Sequence, residues 1–305
     1  MTDRLAMPMS VEARYGAGLD RTIVLGGGGV WFVAWQTGYL RTLMKLGLDF
    51  SLSQRVVGTS AGSMMASVIT GRRLAAFHAA ISGLARAPQL VSALAPASSL
   101  SPSQDRALEM FRAAQNNKPD TIKAIGYAAL AADTPSASAL ARNITVLLAM
   151  RRWPSDTLHI TCVDTYTGER CVVTGSDQVP LPRAVAASSA VPGIFPPQPI
   201  LDRRCMDGGV SGSGTHTDLV AGAKRALVIS LTDGTAVEDT WGTVAPGGIA
   251  RQFESLAASG TRVALRIPRG PIPEDLMNPR AVPDALARGT AQAIEDYPEL
   301  AQMWA

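Results

Sequence analysis

Ten residues, Val56-Val57-Gly58-Thr59-Ser60-Ala61-Gly62-Ser63-Met64-Met65, constrain the fold of this chain more than any others. Two β-branched residues lead into Gly-x-Ser-x-Gly, and a run of good helix formers follows. A buried strand therefore ends at Gly58, the chain turns sharply, and a helix starts just past Ser60. Gly58 and Gly62 lack a Cβ, so strand and helix can close tightly around the turn. Ser60 would stand at the tip, its hydroxyl at a helix N-terminus whose free N–H groups favour developing negative charge. That is the pattern of a nucleophile elbow, although the pentapeptide alone also describes a glycine-rich turn with an N-cap serine.

The flanking sequence extends the same alternation. A strand over Arg21–Leu25 ends abruptly in Gly26–Gly29, and a helical pattern follows from Val33 to Leu46, closed by Gly47. Gln54–Val57 reads as the next strand and Ala61–Thr70 as the elbow helix, ended by Gly71. Between residues 74 and 150 Ala, Ser, Leu and Pro dominate, with breakers at Pro88, Pro96, Pro102, Pro119 and Pro135. This stretch predicts short helices forming a cap or insertion beside the sheet. A hairpin follows, Leu158–Val163 and Arg170–Thr174 around the turn at Asp164–Gly168. A short helix over Arg183–Ser189 precedes Asp207-Gly208-Gly209. Beyond it the pattern predicts a strand (Ala226–Leu231), a helix (Gly248–Ala258), a strand (Arg262–Ile267) and a closing helix (Val282–Ile294). Strands alternating with helices predict an α/β fold, a mainly parallel sheet sandwiched by helices. Residues 1–20 read as a loose N-terminal tail, and 21–305 as a single domain.

Composition excludes several classes. A hydrophobic content of 47% is incompatible with whole-chain disorder. The net charge of +3 comes from scattered basic residues, at most paired, which argues against nucleic acid as a partner. Cys162, Cys171 and Cys205 form no CxxC pair and the chain has no HExxH, so neither a metal site nor a disulfide framework is expected. Residues 1–20 lack the continuous apolar core of a secretory signal, and no window reaches the roughly 18 apolar residues of a membrane span. The expectation is a cytoplasmic protein with peripheral membrane contact left open.

Three glycine-bearing motifs thus occur in order: Gly26–Gly29 after a strand, Gly58-x-Ser60-x-Gly62 after a strand, and Asp207-Gly208-Gly209. A glycine run that ends a strand and opens a helix exposes backbone N–H groups to a phosphate or an oxyanion. A dinucleotide-binding GxGxxG would need its third glycine where Trp31 or Phe32 stands. Together the motifs resemble the patatin-like phospholipase family, whose signature is a glycine-rich oxyanion loop, a Gly-x-Ser-x-Gly elbow and Asp-Gly-Gly/Ala. Residues 187–197 (Ala-Ser-Ser-Ala-Val-Pro-Gly-Ile-Phe-Pro-Pro) are similar to the segment preceding the family's aspartate. The resemblance runs from Ile23 to Leu231 and implies a three-layer patatin-like fold and a serine acyl hydrolase acting on phospholipids or related acyl lipids. It implies Ser60 as nucleophile, Asp207 as its proton acceptor, and the N–H groups of Gly27, Gly28 and Gly29 as the oxyanion hole. Gly58, Gly62, Gly208 and Gly209 support these motifs. No metal or organic cofactor is implied. An aspartate with an ordinary pKa of roughly 3.9 is a poor base, so such a dyad needs a dry site.

Two features depart from the family pattern. Trp31 and Phe32 stand where a basic residue and a glycine are common, and Ser211–Thr217 replaces the usual Asn-x-Pro. Phe32 is expected to turn its ring outward to the site mouth, leaving the glycine loop intact; aromatic residues here otherwise fill core. His78 and His159 suit structural roles. The order Ser60, Asp207, His216 also fits an α/β-hydrolase triad, although nine residues from acid to histidine is short for that fold. A non-catalytic lipid- or protein-binding module on the same fold is the third reading, motivated by Trp31 and Phe32.

Overall fold

Side-chain alternation along the strands sets up two separate cores. In the computed structural model, which describes residues 5–84, 99–235 and 242–304, Ile23 and Leu25 point to one face of the sheet and Val24 to the other. The same division holds for Val56 against Val57, and for Leu227 and Ile229 against Ala226 and Val228. Strands buried on both faces need helices on both faces, which makes three layers.

The strands are β1 (Arg21–Leu25), β2 (Arg55–Gly58), β3 (Leu158–Asp164), β4 (Arg170–Val173), β5 (Gln198–Ile200), β6 (Arg203–Asp207), β7 (Arg225–Ile229) and β8 (Arg262–Arg266). Their order is β5-β6-β3-β2-β1-β7-β8, with β4 paired to β3. The contacts among β3, β2, β1, β7 and β8 are parallel, and those of β4, β5 and β6 are antiparallel. The sheet is therefore mixed and mostly parallel, as the alternation predicts.

One detail of this pairing brings the site together. Along one edge of β3, the partner is β2 as far as Ile160, opposite Gly58. From Cys162 onward the partner on that edge is β6, with Cys162 opposite Asp207. β4 occupies the other edge, where Asp164 N–H bonds Glu169, while Thr165 N–H bonds Arg204 of β6. β6 thus takes over where β2 stops, and Asp207 arrives beside the turn that follows Gly58.

Helices α1 (Gly29–Lys45), α2 (Ala61–Thr70), α3 (Leu74–Leu84), α4 (Pro102–Arg112), α5 (Pro119–Ala131), α6 (Ala137–Leu148), α7 (Leu181–Ser188), α8 (Gly248–Ala258) and α9 (Val282–Trp304) complete the chain. α1, α2 and α9 cover the larger core with Trp31, Trp35, Leu40, Met65 and Trp304. α8 covers the smaller one through Phe253 and Leu256. α4 and α5 pack Phe111, Ile122 and Ile125 against Val163 and Met206 at the sheet's end, while α6 adds Leu140, Ile144 and Leu148 to the larger core.

Several sequence expectations need revision. Residues 5–20 are not a loose tail: Val172 N–H bonds the Leu5 carbonyl, Met7 N–H bonds the Arg170 carbonyl, and Leu5 is 3% exposed. This strap lies along β4, which shows no apolar periodicity of its own. α1 begins at Gly29 rather than Val33, because it is buried on all sides from Trp31 to Leu40 and has no polar stripe to mark its start. The β5–β6 hairpin was hidden by its brevity and by Arg203-Arg204, and α9 runs ten residues past Ile294, through Pro298. Pro88 and Pro96 lie outside the described residues.

Candidate active site

β2 ends at Gly58 and α2 begins at Ala61, so two residues make the turn. Ser60 takes φ 53° and ψ −121°, a conformation costly for any residue with a Cβ. The turn can be this sharp because Gly62 presses against the end of β1; a Cβ there would lie 1.9 Å from the Leu25 carbonyl oxygen. Thr59 N–H bonds that same carbonyl at 3.1 Å. The Ser60 backbone is gripped from both sides. Its N–H donates to Ser188 Oγ at 2.9 Å, and its carbonyl accepts from Ser63 N–H and Ser63 Oγ. Behind it the Thr59 and Thr161 hydroxyls bond each other at 2.8 Å. Ser188, Thr59 and Thr161 are supports that sequence reasoning missed; Ser188 lies in the family-like segment, but its pairing depends on tertiary structure.

Asp207 closes β6 and is 4% exposed. Its N–H bonds the Ala190 carbonyl, which ties it to the segment 187–197. Oδ1 accepts from Gly209 N–H at 2.8 Å, whereas Oδ2 is buried with no hydrogen-bond partner. Burial pushes the carboxyl pKa up to about 7, against smaller downward pulls from the Gly209 N–H and from the Ser60 hydroxyl, which stands close without meeting hydrogen-bond geometry. A base of that strength operates near neutral pH.

The glycine loop lies directly over Ser60, where a Cβ on Gly27 would approach Ser60 Cβ to 3.1 Å. Gly27 N–H, however, donates to the Gly214 carbonyl at 3.2 Å. Gly27 is therefore corrected from oxyanion donor to a residue that makes room for Ser60. The N–H groups of Gly28 and Gly29 have no acceptor among the described residues. Trp31 N–H, one turn on, is taken by the Leu276 carbonyl at 2.9 Å, a cap that no local motif announces.

Phe32 is corrected as well. Its ring is fully buried, stacked between Trp31 and Trp35, and it faces core rather than the site mouth. Val30, Val33 and Ala34 of the same helix line the cavity instead. His216 is fully buried too, but its ring hydrogen-bonds neither Ser60 nor Asp207. Its ring nitrogens meet Arg170, Ser211 and the Gly208 carbonyl, so the geometry of a Ser60-Asp207-His216 triad is absent.

Ser60 and Asp207 open into a cavity of about 940 Å³. Its wall is chiefly apolar, with Met64 of α2, Leu108 of α4, Leu140 and Ile144 of α6, and Ile272 and Leu276 after β8. Met65 packs in the core, and Met64, also part of that core, lines this wall as well.

A glycine loop, a strained serine elbow and a buried Asp-Gly-Gly thus meet at one end of a three-layer sheet. The chain belongs to the patatin-like phospholipase family, whose model matches residues 23–219. Two solved structures are similar to this chain at low scores. The type III effector protein ExoU is 16% identical with a TM-score of 0.37, over 92% of this chain and 54% of that one. VipD from Legionella pneumophila is 12% identical with a TM-score of 0.38, over 96% and 68%. The chain spans about half the length of the first of these. No curated protein matches it in sequence.

Proposed function

We propose that this protein hydrolyses carboxylic ester bonds of phospholipids or related acyl lipids through a Ser60–Asp207 dyad. The observation that carries the reading is the unpartnered Oδ2 of Asp207, buried next to the elbow serine at the end of a large apolar cavity. A buried acceptor without a donor is expensive, and it gains one when the Ser60 hydroxyl turns to it.

In this mechanism Asp207 takes the Ser60 proton as Oγ attacks the ester carbonyl. The oxyanion of the tetrahedral intermediate lies against the Gly28 and Gly29 N–H groups, near the positive end of α1. Collapse expels the alcohol, which takes the proton back from Asp207 and leaves an acyl-serine. Water then gives a proton to Asp207 and attacks the acyl carbon, releasing fatty acid and restoring Ser60. The apolar wall accommodates the acyl chain and keeps Asp207 dry enough to remain a base near neutrality. The helices between residues 74 and 150 contribute Ile81, Leu108, Leu140 and Ile144 to that wall, which supports reading them as an insertion of a single domain. Among the described residues no helix is long and apolar enough to cross a membrane, and the reading includes peripheral contact with lipid.

The deciding experiment compares wild type and Ser60→Ala on phospholipid vesicles, with a fluorophosphonate probe on both. Fatty-acid release and labelling confined to wild type are expected. Equal release by both proteins would refute the reading.

A further inference from the structure

His216 is too well placed to be mere filling. Nδ1 lies 3.3 Å from Arg170 Nη1, and Nε2 lies 3.2 Å from the Gly208 carbonyl oxygen. Guanidinium only donates and a carbonyl only accepts. The imidazole is therefore neutral, with Nδ1 as acceptor and the proton on Nε2. Ser211 Oγ donates to the same carbonyl at 2.9 Å.

The gripped carbonyl belongs to the peptide that links Gly208 to Gly209. A trans peptide is a rigid plane whose C=O and N–H point in opposite directions. The N–H end of this plane is the one that bonds Asp207 Oδ1 at 2.8 Å. Holding one end aims the other. With Oδ1 pinned, Oδ2 is the oxygen left for Ser60.

We propose that His216 is a positioning residue: its Nε2–H clamps the Gly208 carbonyl, orients the Gly208–Gly209 peptide, and so presents Asp207 Oδ2 to Ser60. This rests on the dyad reading and gives the third triad candidate a different task, one that transfers no proton.

The surroundings hold the clamp in this form. Arg170 is fixed by a buried ion pair with Asp218 at 2.7 Å and donates to the Met7 and Pro8 carbonyls of the N-terminal strap. His216 N–H donates to Ser213 Oγ at 2.8 Å, and the residue sits at φ 52°. A second ring proton would face the Arg170 cation. Burial, then Arg170, keep the His216 pKa well below its ordinary value, against the opposing pull of the Gly208 carbonyl. The charged groups around His216 are thus Arg170 on β4 and, behind it, Asp218. Across the β3–β6 ladder from Asp207 stands the thiol residue Cys162.

The test has a spectroscopic and a kinetic arm. Long-range ¹H–¹⁵N correlation on ¹⁵N-histidine protein should show a neutral Nε2–H ring for His216 across neutral pH. On p-nitrophenyl butyrate, His216→Ala should lower kcat by about 10- to 100-fold, since a misplacement on the order of 1 Å can cost about 10²-fold. KM should stay close to wild type. The acid limb of its kcat/KM profile should move to higher pH, because the Gly209 N–H that holds the Asp207 pKa down is no longer aimed at Oδ1. His216→Gln keeps an N–H for the carbonyl and should restore both rate and limb; it decides the matter if the alanine variant does not fold. An imidazolium or an Nδ1–H ring in wild type would overturn the proposal, as would a His216→Ala enzyme with unchanged kcat and limb. So would a folded His216→Gln as inactive as Ser60→Ala, which would make His216 a proton carrier. Activity retained by Ser60→Ala would instead sink the dyad reading, a failure distinct from that of the clamp.

Discussion

The two proposed reacting residues are held in opposite ways. Ser60 comes from the parallel part of the sheet, in a turn with φ 53°, its N–H and carbonyl both engaged. Asp207 comes from the antiparallel part, at the end of a five-residue strand, with one carboxylate oxygen bonded and the other empty-handed. The nucleophile is immobilised by its backbone and the base is left wanting a proton. Strain is stored where geometry matters, and an unmet hydrogen bond is stored where proton affinity matters.

The contrast can be broken at either end. Ser60→Ala and Asp207→Asn should each lower kcat on a p-nitrophenyl ester by about 10⁴-fold or more, with the double variant no worse than either, because units of this kind are strongly non-additive. Substantial turnover by Asp207→Asn would leave the serine without its base. Next in size is a pH effect. With the Asp207 carboxyl at about 7, kcat/KM should fall about tenfold per pH unit below that value.

The same shift has a sign for stability. The folded state binds the Asp207 proton more tightly than the unfolded chain, so this group's contribution worsens as pH rises from 3.8 to about 7. Above that range the full cost, at most about 4 kcal/mol, falls on the native protein. Asp207→Asn should therefore unfold at a higher temperature than wild type at pH 8, with the difference shrinking towards pH 4. Calorimetry at the two pH values checks it; an equal or lower Tm at pH 8 would contradict the buried-charge account.

Smaller effects probe the supports. Ser188→Ala leaves the Ser60 N–H without its acceptor, and should cost about 1–3 kcal/mol in urea unfolding together with about tenfold in kcat. The cavity wall should matter least to chemistry. Ile144→Trp should reduce turnover of long-chain p-nitrophenyl esters several-fold while leaving the acetate ester near wild type. A uniform loss would place Ile144 outside the acyl path.

What could be read in the sequence divides along the same line. In the parallel part, β-branched runs terminate in glycines, so β1, β2 and the elbow helix were legible almost to the residue. In the antiparallel part only the β3–β4 hairpin announced itself, through its Asp164–Gly168 turn. β5 and β6 are too short and too charged for a period of two, although the Asp-Gly-Gly they deliver was plain. The supporting contacts were illegible for a different reason. Ser188 to Ser60, Leu276 to Trp31 and His216 to Gly208 join residues whose partners are set by tertiary packing. The ring of Phe32 was misplaced because the depth of core between α1 and its neighbours is a property of packing, not of spacing.

One consequence follows from the position of β7, β8 and α9. The stretch that matches the family ends at residue 219, yet β1 pairs with β7 along its whole length. Tyr39 of α1 bonds Asp296 of α9 at 2.8 Å, and Leu276 caps the first turn of α1. A fragment cut at the family boundary would expose β1 as an apolar edge and strip the cover from Trp31 and Trp35. The stretch that matches the family and the stretch that packs as one body are therefore different lengths of the same chain. Residues beyond the family match thus supply β7, β8 and α9, of which β7 pairs with β1 and α9 covers α1.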